Sequence, residues 1–96
     1  MTFTISSAHP SLEGHFPGNP VVPGVVILDE VLNIIKSIKP GITVTAMPNV
    51  KFVHPLLAEQ TVSVEINEKS ETAITFTCSY NDLKLVTGQM TVKSLS

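Results

Sequence analysis

The chain has 96 residues, 43% of them hydrophobic and 15% charged, which supplies one core and leaves too little length for two domains; one domain over residues 1–96 is expected. Six Lys, no Arg and eight acidic residues give a formal charge of −2, which excludes the basic surface that nucleic-acid binding needs. Cys78 is the lone cysteine and has no partner for an internal disulfide. No charged and then apolar leader opens the chain, and no apolar run reaches the roughly 18 residues of a membrane span, so a reducing, cytoplasmic setting is expected. Mean hydropathy is nonetheless positive, at +0.30, more apolar surface than so short a chain hides easily.

In chain order, Phe3 and Ile5 alternate with threonines and predict a first strand. The run Val25–Ile38 breaks that period. Its β-branched residues suit a strand, but its length without interruption favours a helix, with Pro23 near the start and Pro40-Gly41 as the stop. Apolar residues cover most of its circumference, which predicts a helix buried on nearly all sides. Ile42 and Val44 again alternate with threonine. All seven prolines lie at or before Pro55, and the chain beyond it reads as sheet: Thr61–Asn67, Ala73–Tyr80 and Lys84–Lys93, with polar breaks at Glu68 to Thr72 and at Asn81-Asp82. The pattern predicts an α+β fold, with about five or six antiparallel strands wrapped around one long helix.

Chemistry concentrates in Glu13-Gly14-His15-Phe16-Pro17-Gly18-Asn19-Pro20-Val21-Val22-Pro23-Gly24-Val25. Three prolines and three glycines in 13 residues fix the backbone while letting it approach another chain or a ligand closely. His15 in this loop and Asp29 on the following apolar helix offer a base and an acid in a dry place, the ingredients of proton transfer at carbon. Gly24 stands where free N–H groups at a helix N-terminus can hold a developing oxyanion.

The segment Gly14 to Asp29 closely resembles the signature of the hotdog-fold 3-hydroxyacyl-acyl carrier protein dehydratases of fatty acid synthesis, including the interval from His15 to the acid. Val50-Lys51-Phe52 and Pro55 are similar to the family's Lys/Arg-Phe and Pro at the start of a strand. The resemblance implies a hotdog fold and a homodimer, or an oligomer of dimers, with His15 of one protomer facing Asp29 of the other. His15 then takes the C2 proton, Asp29 binds the 3-hydroxyl and delivers the proton that turns it into water, and the Gly24 N–H holds the thioester carbonyl. Phe16, Pro23, Val25 and Asn33 are implied as substrate contacts. The resemblance also implies acyl carrier protein as partner, the substrate riding on its phosphopantetheine, with neither metal nor redox cofactor.

The acid is Asp29 where the general branch of the family has Glu, which resembles the branch that also isomerises the enoyl product. One turn on, where the general branch carries Gln, this chain has Asn33, which can orient the carboxyl. The chain lacks most of the family's N-terminal extension, and small relatives of this kind occur in aryl polyene and polyketide-type clusters.

Each residue also has a plainer reading. His15 is structural, Gly24 serves helix packing, and Phe16 packs under the loop instead of lining an acyl tunnel. Glu30 rather than Asp29 points inward, although a carboxylate at Asp29 is expensive to bury unless paired or used. His9 and His54 read as surface or strand-end residues, although family members carry a basic residue near His54-Pro55. Cys78 reads as a core residue. Any docking patch for an acidic carrier must be built from Lys36, Lys39, Lys51, Lys69, Lys84 and Lys93. Two rival functions fit the same pattern, a hotdog acyl thioesterase and a non-catalytic acyl-binding partner subunit.

Overall fold

The computed structural model describes residues 1–6, 8 and 21–94, with the backbone alone for Ser94. His9, Glu13, His15 and Phe16, and with them the first half of the chemistry-bearing loop, lie outside the described residues. The elements run β1 (Thr2–Thr4), α1 (Gly24–Ile38), β2 (Ile42–Phe52), β3 (Thr61–Ser70), β4 (Ala73–Tyr80) and β5 (Leu83–Ser94). The strands form one antiparallel sheet in the order β1-β3-β4-β5-β2, so β3, β4 and β5 are the expected meander. The β4–β5 hairpin closes on Asn81 and Asp82, both at positive φ, the geometry whose twist matches that of paired strands.

Helix α1 begins at the residue after Pro23. The proline is extended (φ −59°, ψ 143°) and contributes no side-chain cap; its carbonyl instead accepts the N–H of Val26 at 3.0 Å and of Ile27 at 3.4 Å. At the other end the Lys39 N–H donates to the Ile35 carbonyl at 2.8 Å, Pro40 follows, and Lys36 complements the negative end of the helix dipole. Val26, Ile27, Val31 and Ile35 are buried in one core with Val62 and Val64 of β3, Ile74, Phe76 and Cys78 of β4, and Val86, Met90 and Val92 of β5.

The expectation of a helix buried on nearly all sides is corrected here. One chain's sheet covers one side of α1, and Val25, Asp29, Asn33 and Lys36 form an exposed stripe on it. Val25 is 66% exposed, a large apolar side chain left open to water.

Two strands outrun their sequence signals. β2 continues through Pro48 to Phe52, so Val50-Lys51-Phe52 ends a strand rather than starting one. The proline is tolerated because β2 is the edge strand and its register shifts twice between Val44 and Asn49, where a ladder N–H is dispensable. β3 holds Glu68, Lys69 and Ser70, which read as a polar break. Pairing of Glu68 with Ile74 and an ion pair from Glu68 to Lys39 keep these residues extended.

Candidate active site

The N-terminus of α1 and the end of β2 meet in a cleft of about 310 Å³ lined by Val21, Val22, Gly24, Ile27 and the Phe52–Pro55 segment. Its backbone is pinned from two sides. Val22 N–H donates to the Leu56 carbonyl at 2.8 Å, and the Leu85 carbonyl accepts both Val53 N–H at 2.7 Å and His54 N–H at 3.2 Å. Leu85 is the extra residue of a bulge between Cys78 and Ser79 opposite, which aims its carbonyl past the ladder toward this segment.

Gly24 belongs to this cleft, and its side of the helix explains the residue type. A Cβ on Gly24 would stand 2.7 Å from the tip of the Phe52 ring. The packing reading of this glycine is therefore met. The oxyanion reading is compatible with it, because the first N–H groups of any α-helix lack intrahelical acceptors. Phe52 is 51% exposed, an aromatic wall over the helix start that no local sequence pattern places there. Its contact with Gly24 joins residues far apart in the chain, and only the path of β2 brings them together.

Pro23 and Val25 flank Gly24, with Pro23 half-buried and Val25 exposed. Asp29 and Asn33 follow Val25 on the same stripe, one and two helical turns on, both exposed in one chain. The sequence argument that Asp29 is buried at a cost fails for a single chain: Asp29 faces outward and its neighbour Glu30 is the half-buried one. Asp29 is not a wall of the Gly24 cleft either. One chain thus presents the helix N-terminus and the acid on different sides of α1, and the described residues supply no base beside Asp29.

His54 is exposed at the end of β2, as expected for a strand-end residue, and its ring Nδ1 lies 3.0 Å from the Lys84 carbonyl oxygen. Cys78 is fully buried on the inner face of β4, and burial pushes its thiol up from 9.0 to about 11. A proton held this tightly in the fold makes its contribution to stability below about pH 9, where folded and unfolded chains both keep it. That contribution is lost as pH rises toward 11, because the unfolded chain releases the proton first. At pH 8 a chromogenic disulfide reagent is expected to leave Cys78 unmodified in the native chain and to modify it at once in urea; rapid labelling of the native chain would contradict the burial. Among the described residues no His, Cys, Asp and Glu cluster can hold a metal ion, and no helix is long and apolar enough to cross a membrane.

One long helix packed along one side by a five-stranded antiparallel sheet and led by a glycine defines a hotdog-type protein, and the sequence comparison specifies which kind. The ApeI-like family, described as ApeI dehydratase, matches residues 1–89, and the chain belongs to that family. Among solved structures, the chain is similar to the dehydratase heterocomplex ApeI:P from Xenorhabdus doucetiae, with 25% identity and a TM-score of 0.82 over 95% of this chain and 82% of that one. An uncharacterized protein from Erwinia carotovora subsp. atroseptica superposes with a TM-score of 0.85 at 23% identity, over 98% of this chain and 81% of that one. An acyl-CoA hydrolase from Staphylococcus aureus shares the fold at 11% identity, with a TM-score of 0.71 over 100% of this chain and 64% of its own. No curated protein matches.

Proposed function

We propose that the chain is a 3-hydroxyacyl-acyl carrier protein dehydratase whose site is completed by a second copy of itself. The observation that carries this reading is the exposed stripe Val25, Asp29 and Asn33. In a dehydratase family member, a carboxylate set among apolar helix positions and facing away from its own core is placed to serve a site that another chain completes. Two further features support a second copy. Among the described residues β2 is an 11-residue edge strand paired with β5 alone, a ready template for strand pairing. Val21, Phe52 and Val53, each more than 40% exposed, gather around the Gly24 cleft beside Val25.

In the proposed reaction His15 of one protomer removes a proton from C2 of the thioester while the Gly24 N–H bonds the carbonyl oxygen as enolate character develops. Asp29 of the other protomer gives its proton to the departing 3-hydroxyl, which leaves as water, and the C2 electron pair closes the double bond of a trans-2-enoyl thioester. Pro23, Val25 and Phe16 flank the reacting carbons, and Asn33 orients the Asp29 carboxyl from the next turn. The acyl chain arrives on the phosphopantetheine of an acyl carrier protein, whose acidic surface meets lysines; Lys51 adjoins the cleft residue Phe52 in sequence, the Lys84 backbone meets His54, and added salt weakens such docking.

A 3-hydroxyacyl thioester offered to the protein is expected to yield enoyl absorbance without free thiol. Free thiol without enoyl product would replace this reading with the thioesterase one. A second reading, in which the completing chain is a different hotdog subunit, is favoured by the heterocomplex of the ApeI:P neighbour; it predicts that the chain alone is inactive at every concentration.

A further inference from the structure

We propose that His54 is a substrate-binding residue of the Gly24 cleft, accepting through Nε2 a hydrogen bond from an amide N–H on the carrier arm of the thioester. The inference rests on the dehydratase reading above and adds a contact to it. A carbonyl oxygen only accepts, so the 3.0 Å approach of Nδ1 to the Lys84 carbonyl requires that Nδ1 carry a proton and donate it. In the neutral ring Nε2 is then the bare acceptor. The main chain that carries the ring is held to the same stretch of β5, because His54 N–H and Val53 N–H both bond the Leu85 carbonyl.

Among the described walls of the cleft His54 is the one polar side chain; the rest are aliphatic or aromatic apart from Gly24. Such a cleft selects a ligand with an apolar body and one well-placed hydrogen-bond donor. A 3-hydroxyacyl group on a pantetheine-type arm has two kinds of donor, the 3-hydroxyl and the arm's amide N–H groups. The hydroxyl belongs with the acid, which on the dehydratase reading comes from the partner protomer, so the arm's amides are the donors left for the walls of this cleft. With the thioester carbonyl at Gly24, the acyl side runs toward the acid and the arm runs over Phe52 to His54.

The test compares one 3-hydroxyacyl group carried on pantetheine and on a simple alkanethiol that has no amide, using wild type, His54→Ala and His54→Gln. In His54→Ala the preference for the pantetheine ester, as a ratio of kcat/KM values, is expected to fall about fivefold, with the loss in KM, the size of one net hydrogen bond. His54→Gln, whose side-chain oxygen accepts a hydrogen bond, is expected to regain part of it. In wild type, a non-hydrolysable pantetheine thioether is expected to shift the His54 ring signals in the NMR spectrum. An unchanged preference in His54→Ala, or ring signals that the thioether does not move, overturns the inference while leaving dehydration by wild type in place. Failure of wild type to dehydrate either ester overturns the dehydratase reading itself.

Discussion

Asp29→Asn is expected to lower kcat by about a thousandfold, within the range that a positioned general acid supplies, while leaving the unfolding temperature of the chain nearly unchanged. Most carboxylates on an otherwise apolar helix do not permit this separation of activity from stability. Here it follows from exposure: Asp29 faces away from the core in which Val26, Ile27, Val31 and Ile35 are buried, so the amide removes a proton donor and no packing. A variant that kept its turnover would show that the acid is elsewhere, with the half-buried Glu30 the first alternative. Measuring kcat and thermal unfolding on the same preparation distinguishes a lost acid from a lost fold.

Gly88→Ala is expected to destabilise the chain by about 2 kcal/mol, the cost of forcing a methyl group into a filled core. For a chain of this size that is a fall of roughly 10 °C in Tm. A Cβ on Gly88 would stand 2.8 Å from the Asn49 carbonyl oxygen and 2.8 Å from the Phe76 ring. The ring can tilt, but the carbonyl belongs to β2 backbone paired with β5 and cannot move without breaking that ladder. The strain also falls on β2, the edge strand that the proposed function offers to a second copy, so on that reading the variant should dimerise less well in addition to melting earlier. A variant with unchanged Tm would mean that β2 yields freely, against the close approach on which this expectation rests.

The fold was legible where local chemistry and tertiary pairing agree. Ala73–Tyr80 carries a clean alternation and is central in the sheet, and the predicted strand and β4 coincide. Pro23 and Pro40 bracket α1 because proline's missing N–H costs nothing before a helix and stops one after it. Where the sheet decided, local signals fell short: Pro48 sits inside β2 because an edge strand with a shifted register can spare its N–H, and Glu68 stays in β3 because its pairings outweigh its polarity.

For the site, the Gly24, Val25, Asp29 and Asn33 spacing was readable along one helix. Asp29 is exposed in a single chain, since hydrophobicity around a helix does not say which side its own chain covers. The Phe52 contact with Gly24 and the His54 bond to Lys84 depend on how β2 and β5 end, and no short-range pattern encodes them.

On the proposed function the site is shared between two chains, His15 from one and Asp29 from the other. Mixing His15→Ala with Asp29→Asn after joint unfolding and refolding tests it directly, since half of the resulting dimers are mixed and each of these holds one intact site. Recovery to about a quarter of wild-type activity is the result this account predicts. Activity no greater than that of the two variants kept apart would contradict it and place both groups within a single chain.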